Sequence, residues 1–286
     1  MDALGADAGS DWAPTVVRAR VRVGDVDLHY AEAGCGSPLL LLHGLGGSHF
    51  DWEHQIPFFA RRYRVLAPDL RGFGASPRGR RGLGVPEHAS DVAAFLDALG
   101  VARCRLIGHS MGGAVAQQFT LDHPDRVERL VIANSAPSFR PRSLRHHIEF
   151  FYRFAVMGLL GPERLARIGA QRSFPAPEQA AQRARAIARG ARNSRRNYLA
   201  ALRALAAWSV IERLGELRLP VLVAASEHDY FGHDQTVMFA HALPRARLHV
   251  FKGAHHGLPS EQPQAFNAVV ERFLDGPPPA WRKAGA

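Results

Sequence analysis

Leu106-Ile107-Gly108-His109-Ser110-Met111-Gly112-Gly113 sets Gly-x-Ser-x-Gly between an apolar run, Arg103 to Ile107, and a segment carrying Val115, Gln118 and Phe119 at helical spacing. A strand that turns this sharply into a helix leaves no room for side chains at Gly108 and Gly112, and it holds the serine in a strained conformation with its hydroxyl exposed. The first amides of the helix point at the same spot, which makes the Met111 N–H a candidate oxyanion donor. The alternative is a glycine-rich loop with an idle serine, and it leaves the flanking strand and helix unexplained.

A second donor is sought in Leu39-Leu40-Leu41-Leu42-His43-Gly44-Leu45-Gly46-Gly47-Ser48, a strand running into another glycine-rich loop. Glycines let backbone approach a substrate closely, and the Leu45 N–H just after His-Gly is the expected donor. His43, Gly44 and His109 are pocket candidates by position, although His43 also fits a structural role.

Further strand candidates are Tyr63–Ala67, Leu130–Ala133, Val221–Ala225 and Arg247–Phe251, each followed by Gly, Pro, Asp, Asn or Ser. Val16–Val23 and Val26–Ala33 alternate apolar and polar residues about Gly24-Asp25 and read as an antiparallel hairpin at a sheet edge. With helical patterns between the strands, this predicts an α/β fold with a mostly parallel, eight-stranded sheet and helices on both faces. From Phe139 to Leu214 no strand candidate occurs. That stretch reads as an inserted helical lid, residues 139–214, in a core formed by 16–138 and 215–275. Residues 1–15 and 276–286, the latter opening on Gly276-Pro277-Pro278-Pro279, are expected to be loose ends.

A serine hydroxyl needs a histidine base, and the histidine needs a carboxylate to fix its tautomer and stabilise the imidazolium. Ser226-Glu227-His228-Asp229 follows one late strand, and Asp229 is the chosen acid, with Glu227 and Asp234 as rivals. Lys252-Gly253-Ala254-His255-His256-Gly257 follows the last strand and offers two bases.

These motifs together resemble the α/β-hydrolase superfamily, in its lidded branch of small esterases, lactonases and carbon–carbon bond hydrolases, over roughly Val21 to Leu274. Pro68-Asp69-Leu70-Arg71-Gly72-Phe73-Gly74-Ala75-Ser76 and His123-Pro124-Asp125-Arg126-Val127 add to the likeness. The resemblance places the catalytic histidine five residues before the Glu of Glu261-Gln262-Pro263, which selects His256 over His255. It implies a catalytic set of Ser110, His256 and Asp229, the Leu45 and Met111 amides as oxyanion hole, and no metal or organic cofactor. The reaction it implies is hydrolysis of a carboxylic ester or lactone, with carbon–carbon bond hydrolysis, peracid chemistry and a non-catalytic receptor as alternatives. Relatives that open epoxides or displace halide carry aspartate where Ser110 stands. In the lid, Phe150, Phe154 and Met157 share one helical face and are candidate pocket residues, with packing against the core as the alternative.

The 286 residues are 47% hydrophobic and 22% charged, the composition of a globular protein. Two cysteines exclude a disulfide framework, and no apolar run approaches the ~20 residues of a membrane span. The first fifteen residues lack the pattern of a secretory signal, so a cytoplasmic protein is expected. The net charge is +10, and Arg140 to Arg213 accounts for all of it: 15 arginines against four glutamates give +11, with the rest about neutral. Solvated helix faces explain such a bias; the functional alternative is a preference for anionic substrates. No motif for specific nucleic-acid binding accompanies the arginines.

Overall fold

A computed structural model describes residues 15–280. Its sheet contains β1 (Val17–Val23), β2 (Val26–Ala33), β3 (Ser37–Leu42), β4 (Tyr63–Pro68), β5 (Cys104–His109), β6 (Val127–Ala133), β7 (Val221–Ser226) and β8 (Ala246–Phe251) in the order β1-β2-β4-β3-β5-β6-β7-β8. The hairpin β1–β2 and the β2–β4 pair are antiparallel, and every pair from β4 to β8 is parallel. The eight expected strands are all present within a few residues of their predicted ends.

Residues along the central strands alternate between two cores, as the period of two requires. Leu40, Leu42, Leu106, Leu130, Ile132 and Val223 face one side. There they meet α2 (Val85–Ala98), α3 (Met111–Asp122) and α8 (His233–Ala242) through Phe95, Phe119 and Phe239. Leu39, Leu41, Ile107, Val131 and Leu222 face the other. Their partners are Ile56 and Phe59 of α1 (Gln55–Phe59) and Phe266, Val270 and Phe273 of α10 (Pro263–Asp275), next to the short α9 (Leu258–Glu261). Because both faces are covered, the central strands are apolar throughout rather than alternating.

Between β6 and β7 the chain forms α4 (Leu144–Ala155), a π-helical turn (Val156–Leu160), α5 (Gly161–Ser173), α6 (Ala180–Gly190) and α7 (Arg195–Ala207). An isolated antiparallel bridge, Ser138 with Ser209, pinches the ends of this segment together. Val156, Met157, Leu165, Tyr198 and Leu202 give it a small core of its own.

Two features of the structure bear on the expected loose ends and on the arginine bias. The prolines after α10 are not loose: Arg129 donates to the Gly276 carbonyl at 2.8 Å and Arg245 to that of Pro279 at 2.7 Å, which docks residues 276–279. The other expected loose ends, 1–14 and 281–286, lie outside the described residues. The arginine bias also has a largely structural explanation. Arg167 pairs with Glu163, Arg172 with Glu149, Arg189 with Glu53, and Arg213 with Asp122 and Glu216, while Arg183 donates to main-chain carbonyls.

Candidate active site

Ser110 sits between the end of β5 and the start of α3 with φ 53° and ψ −119°, a left-handed conformation that is strained for a residue with a Cβ. The neighbouring glycines permit it. A Cβ on Gly108 would lie 2.3 Å from the Gly112 carbonyl oxygen, and one on Gly112 would lie 2.1 Å from that of Leu42. The Ser110 amide donates to the Ala133 carbonyl at 2.9 Å, tying the turn to the end of β6.

The Ser110 hydroxyl donates to His256 Nε2 at 3.0 Å, and His256 Nδ1 donates to Asp229 Oδ1 at 2.6 Å. Three loops, after β5, β7 and β8, therefore bring Ser110, Asp229 and His256 into one hydrogen-bonded chain. Asp229 is almost wholly buried and also accepts from the Tyr230 amide at 2.6 Å. Two of the rivals, Glu227 and His255, are engaged elsewhere. Glu227 accepts from the Gly253 amide at 2.8 Å, and His255 donates from Nδ1 to Glu261 Oε1 at 2.8 Å. Glu261 thus anchors the histidine beside His256.

Met111 is the first residue of α3, where a helix leaves its amide without an intrahelical acceptor. The loop after β3 passes directly alongside: a Cβ on Gly44 would lie 3.2 Å from Ser110 Cβ. Gly44 and Leu45 both border the cavity that holds Ser110 and His256. The loop after β3 and the first residue of α3 thus flank the serine. His109, also on the cavity wall, donates from Nε2 to the His256 carbonyl at 2.8 Å. Burial, with His256 close by, pushes its pKa down to about 3, so it is a neutral positioning group for the histidine loop.

His43 does not reach the cavity. It is fully buried beneath the loop, accepting the Leu70 amide at Nε2 (2.9 Å) and donating from Nδ1 to the Gly44 carbonyl (2.8 Å). It braces the loop after β3 against the loop after β4, which makes it structural. The lid candidates divide. Met157 borders the outer cavity and Phe150 an inner chamber, but Phe154 borders neither: α7 crosses over it, with Arg203 5.9 Å above its ring.

Several residues that sequence reading passed over are part of the site. Tyr230 packs its ring 4.4 Å from that of His256. Arg153 lies 4.9 Å above the Tyr230 ring and donates to Glu149 at 2.8 Å. Asn134, at φ 44°, donates from Nδ2 to Ser226 Oγ at 2.9 Å and to the His255 and His256 carbonyls at 3.1 Å each. Its Oδ1 accepts the Ser226 amide at 2.9 Å. A buried amide in the left-handed region, at the end of a central strand, thereby joins the exits of β6, β7 and β8.

Around Ser110 lie an outer cavity of about 260 Å³, whose charged border is Arg153, Arg172, Arg185, Arg189, Asp51, Glu53 and Glu149, and an inner chamber of about 130 Å³. Among the described residues, no group of His, Cys, Asp and Glu is arranged to hold a metal ion, and no helix is long and apolar enough to cross a membrane.

Known proteins resemble the chain along most of its length. A putative carbamate hydrolase RutD of Caulobacter vibrioides is 32% identical over 269 residues, 90% of this chain and 99% of that protein. A 2-hydroxy-6-oxo-6-phenylhexa-2,4-dienoate hydrolase of Burkholderia cepacia is 30% identical over 262 residues, 86% of this chain and 91% of that one. The crystal structure of an enol-lactonase from Burkholderia xenovorans superposes with a TM-score of 0.82 at 26% identity, covering 90% and 99% of the two chains. Residues 37–263 match the family described as the alpha/beta hydrolase fold, and with a parallel sheet carrying a serine at the β5–α3 turn, the chain belongs to that family of hydrolases.

Proposed function

We propose that the protein hydrolyses a carboxylic ester or lactone through an acyl-enzyme. The observation that carries this reading is the chain Ser110–His256–Asp229, with contacts of 3.0 and 2.6 Å. His256 removes the Ser110 proton as Oγ attacks the carbonyl carbon. Asp229 holds the imidazole with its proton on Nδ1 and balances the imidazolium that forms. Charge gathers on the former carbonyl oxygen, where the Leu45 and Met111 amides receive it, and the protonated His256 then passes its proton to the leaving alkoxide. Water, deprotonated by the same histidine, attacks the acyl-Ser110 ester and releases the acid. The helices of 139–214 act as a cap that limits water around these steps.

Ser110→Ala tests the proposal: hydrolysis of p-nitrophenyl acetate falls to the uncatalysed rate while the variant keeps its circular dichroism and melting temperature. Turnover retained in folded Ser110→Ala refutes it, and failure of a fluorophosphonate probe to label Ser110 in the native enzyme favours a receptor.

A second reading, cleavage of a carbon–carbon bond in an acidic diketone, draws support from the four arginines against Asp51, Glu53 and Glu149 at the outer cavity and from the dienoate hydrolase relative. Matched neutral and anionic esters, assayed beside a vinylogous diketone acid at low and high salt, separate the two. An ester preference indifferent to charge and salt excludes a role for the arginines in substrate choice.

A further inference from the structure

A third cavity, of about 320 Å³, lies on the far side of the inner chamber from the arginine-lined mouth. It is enclosed by the segment leaving β6, by α4, by Ile211 and Leu214, and by α8. Four side chains, Phe139, His146, Phe150 and Phe231, border both this cavity and the chamber that holds Ser110 and His256. They form the wall that the two share. That wall is largely aromatic: the Phe139 and Phe231 rings meet edge to face at 5.5 Å, and Phe231 lies 6.5 Å from the His256 ring.

The inner chamber, at about 130 Å³, is smaller than the roughly 300–1,000 Å³ of ordinary small-molecule sites, whereas the third cavity alone reaches that range. Its far wall is apolar, with Ile211, Leu214 and Phe239. Arg140, Arg142, Gln235 and Thr236 also border the cavity. Ser135, 6% exposed, borders the cavity, and its hydroxyl has no hydrogen-bond partner. A buried hydroxyl left unpaired in the folded protein is a donor held available for a ligand acceptor.

We infer that this cavity is the binding site for an apolar arm of the substrate, a medium-length alkyl or an aryl group that enters it past the shared wall at Phe150 while the scissile carbonyl stays at Ser110. The inference rests on the serine-hydrolase reading and adds a substrate class to it: esters with one apolar arm of about six to ten carbons, a length set by the drug-sized scale of such a cavity. The arm belongs to either the acyl or the alcohol half, and the assay distinguishes them.

The test compares kcat/KM for p-nitrophenyl octanoate and acetate, and for octyl acetate and ethyl octanoate, in the native enzyme and in Ile211→Trp, which fills the far wall away from Ser110. The native enzyme favours the octanoyl or the octyl member, and Ile211→Trp lowers the long-to-short ratio at least tenfold. A ratio unchanged in folded Ile211→Trp overturns the inference, as does a native enzyme indifferent to length in both series. Should Ile211→Trp not fold, Phe150→Ala opens the shared wall and shifts the preferred length upward by two or more carbons; an unshifted optimum refutes the site. Calorimetry with octan-1-ol on Ser110→Ala, with and without Ile211→Trp, reads the cavity without turnover. Saturable binding weakened tenfold by the tryptophan, in a protein that hydrolyses no ester at all, sinks the ester reading and leaves the site standing.

Discussion

Asn134 offers the sharpest check on how the site is held, because its contributions separate by substitution. The residue is 2% exposed and makes four hydrogen bonds, two of them to the carbonyls of His255 and His256. Asn134→Gly removes the side chain and relaxes the backbone. At about 1 kcal/mol net per hydrogen bond, less where water refills the space, it costs about 2–4 kcal/mol. Asn134→Ala loses the same bonds and also puts a Cβ without a local hydrogen bond at φ 44°, adding about 1–2 kcal/mol. Asn134→Asp keeps the acceptor for the Ser226 amide but turns the donor into a second oxygen facing two carbonyls, so it is the most harmful of the three to the histidine loop. Urea denaturation gives the order of stability, with glycine above alanine. Activity follows a different order: in all three kcat falls about 10–100-fold, since a shift of His256 by a fraction of an ångström spoils proton transfer, while KM changes little. If Asn134→Ala retains native kcat and midpoint, or if glycine is less stable than alanine, the linkage of the β6, β7 and β8 exits through this side chain is wrong.

Two further outcomes follow from the geometry. Gly44→Ala places a methyl 3.2 Å from Ser110 Cβ and 3.3 Å from His109, close enough to displace the loop that carries the Leu45 amide without unfolding the protein. Steady-state kinetics should show kcat reduced about 10²–10³-fold with the melting temperature within a few degrees of native, and native kcat would remove Leu45 from the oxyanion hole. His88 is fully buried, and burial, with His43 and Arg71 nearby, pushes its pKa down to about 3. A histidine neutral in the fold but basic when unfolded contributes no penalty above its unfolded pKa near 6.5. Stability is lost as pH falls from there toward 3, at up to about 1.4 kcal/mol per pH unit. His88→Leu should therefore flatten the acid limb of a urea-midpoint against pH profile by that slope, leaving the part due to His109; an unchanged limb would show that His88 is not buried neutral.

Where the local chemistry of a motif is also its global role, sequence alone suffices. Gly108 and Gly112 are glycine because carbonyls occupy the space a Cβ would need, and that constraint is printed in Gly-x-Ser-x-Gly. The eight strands were legible for a similar reason: the central ones are buried on both faces, so their apolar runs are unmistakable. Asn134 carries no such signal, since its partners are main-chain groups about 120 residues away and main chain leaves no trace in side-chain identity. His43 is a mixed case. Its place beside a glycine loop made it a pocket candidate, while its structural reading agrees with its burial beneath that loop.

The arginine-rich segment shows how far charge counting goes. Its +11 is a sum over residues that the fold then sends to different tasks. Arg183 and Arg195 satisfy carbonyls at helix ends, and Arg189 ties α6 across to Glu53. Arg153 was one of fifteen equivalent letters until α4 turned it inward over Tyr230. What remains at the outer cavity is a small local excess, where Asp51, Glu53 and Glu149 offset most of the field of four arginines. Opposite it lies a cavity whose walls are mostly aromatic and aliphatic. Under the proposed function, a serine between an arginine-bordered mouth and an apolar recess discriminates by the two ends of one molecule, and neither end alone can satisfy both. Selectivity therefore depends less on the net charge of the cap than on the distance Ser110 keeps between those two environments.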